Sequence, residues 1–200
     1  MLEKDLRTLI HDLRNRIAPI RNATHLLKLR AGGDKQLLDT ASLIERQVQA
    51  MGDLLDAASP GNTPKAVPIR EPANPTYAPA QRTRRILIAD DSPAVCESLA
   101  AILRDLGHEV KTVNDGLETV EVATAWVPDL VMLDINMPKL NGYDAAKRLR
   151  ARFASSKMRL VMISGANLDS GVLAAAKQAG FDACLDKLLD FAALKKVLEG

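Results

Sequence analysis

Arg84-Arg85-Ile86-Leu87-Ile88-Ala89-Asp90-Asp91-Ser92 decides how the second half of this chain is read. Its unbroken apolar run, Ile86 to Ala89, is the mark of a strand buried on both faces, and two carboxylates stand where the run ends. The same arrangement recurs downstream. Val110 to Val113, Leu130 to Leu133, Leu160 to Ile163 and Ala183 to Leu185 are further apolar runs, separated by segments of helical pattern. Strands buried on both faces and joined through helices imply parallel βαβ crossovers, hence an α/β domain built on a doubly wound, five-stranded parallel sheet. The polar residues gather at the carboxyl ends of these strands: Asp90 and Asp91 after the first, Asp134 after the third, Ser164 after the fourth and Lys187 after the fifth. In such a sheet the crevice lies outside that edge, where the strand order reverses and the first and third strands are neighbours.

Asp90, Asp91 and Asp134 converging in one crevice repel one another, and a divalent cation is the economical reason for grouping them. Mg2+ fits best. It takes a few carboxylates together with water and phosphate oxygens, and there is no histidine or thiol cluster to suggest zinc or iron. A metal there draws charge off an incoming phosphoryl group while Asp134 attacks in line and Lys187 and Ser164 hold its oxygens.

Ile88-Ala89-Asp90-Asp91-Ser92, Asp134-Ile135-Asn136-Met137-Pro138-Lys139-Leu140-Asn141-Gly142, Ser164-Gly165, and Ala179-Gly180-Phe181-Asp182 leading to Lys187 follow one another in order. With them, residues 84–200 resemble the receiver domain of two-component response regulators over their whole length, a flavodoxin-like fold. The resemblance implies Asp134 as phosphoacceptor, Asp90 and Asp91 as the acidic pair, the Asn136 backbone carbonyl as a further metal ligand, and Ser164 and Lys187 as phosphoryl partners. Two positions depart from the family pattern. Leu188 stands where proline usually follows the lysine, and Cys184 falls near the usual switch aromatic, so the loop after the fifth strand and its readout should differ.

The first half is helical. Leu2, Leu6, Leu9, Leu13, Ile17, Ile20, Thr24 and Leu27 form one stripe. Leu37, Ala41, Ile44, Val48, Met51 and Leu55 form a second after Ala31-Gly32-Gly33-Asp34, where glycine stops one helix and Asp34 caps the next. A two-helix hairpin is too small to bury two apolar faces by itself, so a homodimer through residues 2–57, forming a four-helix bundle, is expected. His11 lies off the Leu9/Leu13 seam and is expected to face outward. Its neighbourhood, His11-Asp12-Leu13-Arg14-Asn15-Arg16-Ile17-Ala18-Pro19-Ile20-Arg21-Asn22, resembles the phosphoacceptor box of HisKA-type sensor kinases. That resemblance covers roughly residues 1–57. It implies His11 as the phosphorylated histidine, Asp12 as the acidic neighbour that orients the imidazole, and Asn15 as the polar residue that places water when such domains dephosphorylate a receiver. Arg16 replaces the family's usual proline, while Pro19 remains to bend the helix. No stretch is left for an ATP-binding domain, so autophosphorylation by this chain alone is not expected.

Six of the ten prolines fall between Ser59 and Thr83. At roughly 3 Å per residue this linker reaches about 75 Å, so reach does not restrict which units meet. The organisation is a hairpin over residues 1–58, a linker over 59–83 and a receiver-like domain over 84–200. A net charge of +2 on 200 residues is too small to argue for nucleic acid. Arg14, Arg16, Arg21, Lys28, Arg30 and Lys35 tilt the first helix positive, as a solvated face or as a docking surface for an acidic receiver. The N-terminus lacks an apolar signal core and no apolar run approaches a membrane span, so a cytoplasmic protein is expected. Cys96 and Cys184 read as small buried hydrophobes. The leading expectation is a phosphorelay protein in which a sensor histidine kinase donates phosphate, Asp134 accepts it, and His11 relays it to or from another receiver. The alternative is a dimeric binding regulator or phosphate sink whose hairpin only dimerises or docks a kinase. A third reading makes the hairpin a phosphatase for a receiver, through Asp12 and Asn15.

Overall fold

Every apolar run named above is a strand in the computed structural model, which describes residues 2–58, 82–153, 158–165, 168–188 and 191–199. Most of the proline-rich linker, residues 59–81, lies outside the described residues. The strands are β1 Arg85–Ala89, β2 Glu109–Val113, β3 Leu130–Asp134, β4 Arg159–Ser164 and β5 Ala183–Asp186. All pair in parallel in the order β2-β1-β3-β4-β5, so β1 and β3 are neighbours, as expected at a strand-order reversal.

Two helices precede the sheet, α1 Leu2–Arg30 and α2 Lys35–Ala58. Five are interleaved with it: α3 Pro93–Asp105, α4 Gly116–Trp126, α5 Gly142–Arg152, α6 Ser170–Ala179 and α7 Phe191–Glu199. Successive strand residues point to opposite faces, and the core divides accordingly. Ile86, Ile88, Leu130, Met132, Val161 and Ile163 pack with α3 and α7, while Leu87, Ala89, Val131, Leu133, Leu160 and Met162 pack with α4, α5 and α6. Side-chain caps start the helices where the sequence supplies them. Asp115, Asn141 and Asp169 accept from the backbone N–H three residues on, at 2.8, 2.9 and 2.8 Å. Gly142 sits so close to β3 that an added Cβ would lie 2.1 Å from the Asp134 carbonyl oxygen, so no larger residue fits there and α5 is locked beside the strand end.

The hairpin turns at Gly32 and Gly33, both at positive φ, and Asp34 accepts from the Leu37 N–H at 3.1 Å to begin α2. Its helices do not rest only on each other: α1 lies along α3, the two running in the same direction. Ile17 and Ala18 of α1 and Val48 of α2 form one buried cluster with Val95 of α3 and Leu188. Further along, Asn22 donates to Ser98 at 3.0 Å, and near the helix ends Arg30 forms a bidentate pair with Asp105 at 2.7 and 2.8 Å. Because α3 starts only at Pro93, the stretch of α1 around His11 to Asn15 projects past it over the carboxyl edge of the sheet.

This packing revises the expected hairpin surface. Ile17 and Thr24, assigned to the self-association seam, are buried, Ile17 in the cluster shared with the α/β domain. The rest of that seam, Leu6, Leu9, Leu13, Ile20 and Leu27, stays exposed. His11 does not face outward: its side chain is 17% exposed and its Nε2 is buried.

Candidate functional site

Asp90 follows β1, Asp134 ends β3, Ser164 ends β4 and Lys187 follows β5, so four separate strand ends deliver four polar side chains to one place, and all four are buried. Asp90 is fixed by accepting from the Ser92 N–H at 3.0 Å, and Lys187 by donating its backbone N–H to the Ser164 carbonyl at 2.8 Å. One ligand atom each from Asp90, Asp91 and Asp134 lie within 4.8 Å of one another, with Asp91 exposed and the other two enclosed. The Lys187 ammonium stands 2.9 Å from Asp90 and 3.2 Å from Asp134. Neither oxygen of Asp134 receives a well-aligned hydrogen bond, nor does Oδ2 of Asp90. Oδ1 of Asp134 has no partner among the described residues, and two buried carboxylates converging with an exposed third suit a hard cation, so the donor set fits Mg2+. Asn136 is exposed in the turn after β3, two residues beyond Asp134, where Lys139 takes a positive φ of 63° to close the loop.

Burial dominates the electrostatics. It pushes Asp90 up to about 7 against the opposing pull of Lys187, and it raises Asp134 above the ordinary carboxylate value as well. Burial pulls Lys187 down, but Asp134 and Asp90 outweigh it and leave the ammonium above its usual value.

The hairpin closes this site. Asn15 of α1 accepts from the Lys187 ammonium at 2.8 Å, a third contact beside the two carboxylates. One turn back lies His11, its buried Nε2 accepting no hydrogen bond from the described residues. Its other ring nitrogen, Nδ1, is 3.8 Å from the exposed carboxylate of Asp12. With the hairpin in place Asp134 is 1% exposed. A cleft of ≈ 580 Å³, lined by Asp12, Asn15, Arg16, Pro19, Asp91 and Ser92 among others, runs between hairpin and domain.

All the residues expected at the sheet edge therefore meet, and His11 and Asn15 join them. Sequence reasoning missed the residues that hold the two parts together. Arg14, read as one of a set of surface cations, is wholly buried, donating to the Gly165 carbonyl and to Asp56 of α2. Arg21 donates to the Leu188 carbonyl at 2.8 Å. Leu188, noted only as a departure from a proline, is the apolar knob under the hairpin, and an added Cβ on Gly52 of α2 would come 2.7 Å from its Cδ1. The available signal was a second face of α1. Ile10, Arg14, Ala18, Arg21 and His25 recur at helical spacing away from the leucine seam.

Comparison with known proteins matches residues 86–199 to the family model for the response regulator receiver domain. The transcriptional regulatory protein PdtaR of Mycobacterium tuberculosis is 35% identical over 125 residues, which is 62% of this chain and 59% of that protein. The Escherichia coli sensor histidine kinase RcsC is 34% identical over 117 residues, 56% of this chain and 12% of the kinase. The chain thus spans well under two thirds of the length of these curated relatives. Among solved structures, the receiver domain of a Pseudomonas aeruginosa sensor histidine kinase, with magnesium coordinated in its active-site cleft, is 30% identical at a TM-score of 0.53. That match covers 59% of this chain and 96% of the other. A response regulator of Chloroflexus aurantiacus is 27% identical at a TM-score of 0.54, covering 60% of this chain and all of that one.

Proposed function

The chain belongs to the response regulator receiver family, and from that premise we propose that Asp134 is the phosphoacceptor of a His–Asp phosphorelay in which His11 is a second acceptor. Asp90, Asp91, Asp134 and the Asn136 carbonyl would hold Mg2+, which when bound supplies charge neutralisation for the phosphoryl oxygens. Lys187, already the shared cation of Asp90 and Asp134, holds one phosphoryl oxygen, and Ser164 holds another. A sensor histidine kinase is the donor. On α1, Asp12 faces Nδ1 of His11 and thereby leaves Nε2 as the nitrogen presented to phosphorus. The relatives match the receiver; the hairpin's part rests on the HisKA resemblance and on its place in the fold.

One observation carries the relay reading: His11, with its buried, unbonded Nε2, lies one helical turn from Asn15, which bonds the Lys187 ammonium paired with Asp134. The test is transfer from a phosphorylated kinase to wild type, His11→Ala and Asp134→Ala, scored by the alkali stability of the label. Phosphohistidine survives alkali and aspartyl phosphate does not. Label of both kinds in wild type, with only the alkali-labile kind in His11→Ala, is the expected result. If His11→Ala changes no step, the receiver function stands alone. The second reading, a binding regulator, is favoured by the Asn15–Lys187 bond, since a hairpin that merely clamps the phosphate site needs Asn15 but not His11.

A further inference from the structure

We infer that the hairpin is the transfer partner of its own receiver: phosphate passes between Asp134 and His11 of the same chain, and the hairpin, while docked, keeps the histidine of any other protein from that aspartate, so that a kinase loads Asp134 only when the hairpin is lifted. The inference rests on the phosphorelay reading and adds to it the route and the gate.

The junction is seated on residues from both sides. Arg14 reaches the Gly165 carbonyl, in the loop directly after Ser164, and Arg21 reaches the carbonyl of Leu188, directly after Lys187. The two loops that hold the phosphoryl partners are thus each gripped by an arginine of α1. Leu188 inserts among Ile17, Ala18, Val48 and Val95, and Gly52 is the residue on α2 whose missing side chain leaves it room. Asn22–Ser98 and Arg30–Asp105 extend the fit along the length of α3. A surface used only for passing contact with other proteins has no need of a wholly buried arginine or of a leucine knob matched to a glycine. The match lies within one sequence.

The same docking decides what reaches the aspartate. Asp134 is 1% exposed, and Asn15, one turn from His11, bonds the Lys187 ammonium that pairs with it. A cleft lined by Asp91 and Asp12 leaves room beside the site for a small phosphodonor or a hydrated ion. A buried polar atom without a partner is costly, and a phosphoryl group carried to His11 gives its Nε2 one.

The step balances without any co-reactant. The lone pair of unprotonated Nε2 attacks phosphorus, the bond from phosphorus to the Asp134 oxygen breaks, and the carboxylate keeps the electron pair. The Nδ1 proton stays in place, and the positive charge left on the ring faces Asp12. The reverse step returns the phosphoryl group along the same line.

Full-length chains test this. Asp134 is first loaded with acetyl phosphate and Mg2+, the donor is removed, and alkali-stable label is followed over time. Wild type should form phosphohistidine at a rate that does not change with protein concentration. Loaded His11→Ala mixed with Asp134→Ala should transfer at least tenfold more slowly, since each chain lacks one half of the pair. Gly52→Leu drives a side chain into Leu188 while improving the helix propensity of α2, so it lifts the hairpin without touching the reacting groups. Placed in both chains, it should speed the mixed reaction at least tenfold by opening the His11→Ala receiver and freeing the other chain's hairpin to reach it. A mixture as fast as wild type, or one that Gly52→Leu leaves unchanged, overturns the inference and spares the relay. Loaded wild type that never forms alkali-stable label overturns the relay reading itself.

Discussion

At the scale of single residues, the polar cluster at the sheet edge was legible because its members stand at the ends of apolar runs, where the buried strands stop. Asp91 is the exposed member of the acidic group. It can therefore be changed with little effect on the core, and it makes the cleanest probe of cation binding. Mg2+ at ten times its Kd should stabilise the wild type by about 1.4 kcal/mol, read as a rise in Tm, and Asp91→Ala should abolish most of that rise. Arg14 was not legible. An arginine beside other cations reads as a solvated face, and its burial depends on Gly165, 151 residues away. Arg14→Met keeps the volume but leaves the Gly165 carbonyl without this donor and Asp56 without its cation. It should cost about 2 kcal/mol, measured as a lower urea midpoint.

At the scale of elements, the five strands and the pairing of the first with the third followed from short buried runs alternating with helices. The seat of α1 on α3 and α7 did not, because the face that makes it is mixed in character, small at Ala18, polar at Asn22 and aromatic at His25. His25 gives that seat a pH dependence. Its ring stacks on Phe191 of α7 at 3.6 Å between centroids, and burial holds its pKa down to about 4, against a nearby Glu45 and assisted by Lys28 and Arg21. A lowered value means that the unfolded or undocked form binds the proton more readily between pH 6.5 and 4. The stability is fully present above 6.5 and is lost as pH falls through 4. The urea midpoint should drop across that window. His25→Phe, which keeps the stack and removes the titration, should flatten the part of the slope due to this residue.

At the scale of the whole molecule, the division into hairpin and receiver could be read from composition, but their packing could not. A proline-rich connection long enough to reach anywhere leaves the arrangement open, and tertiary fits such as that of Leu188 against Gly52 select one. That fit uses one side of the hairpin. On the other, Leu9 is 54% and Leu54 71% exposed, together with Leu13, Ile20, Leu27 and Leu43. Such a row of large apolar side chains on paired helices is more than scattered surface residues require. We propose that a second copy covers it, giving the four-helix bundle expected from the sequence. Light scattering should find a dimer, and Leu9→Glu with Leu54→Glu should yield monomers that retain the intramolecular junction.

Two duties on one helix also limit how this chain can change over generations. Alleles that swap one seam leucine for another aliphatic, or one junction residue for a similar one, keep both faces of α1 in phase. Adding or deleting a single codon between His11 and Arg30 does not. Each residue advances the helix by about 100°, so everything beyond the lesion turns away from both its neighbours at once. Related sequences should vary freely in the length of the stretch joining the two halves and hold the length of α1 fixed.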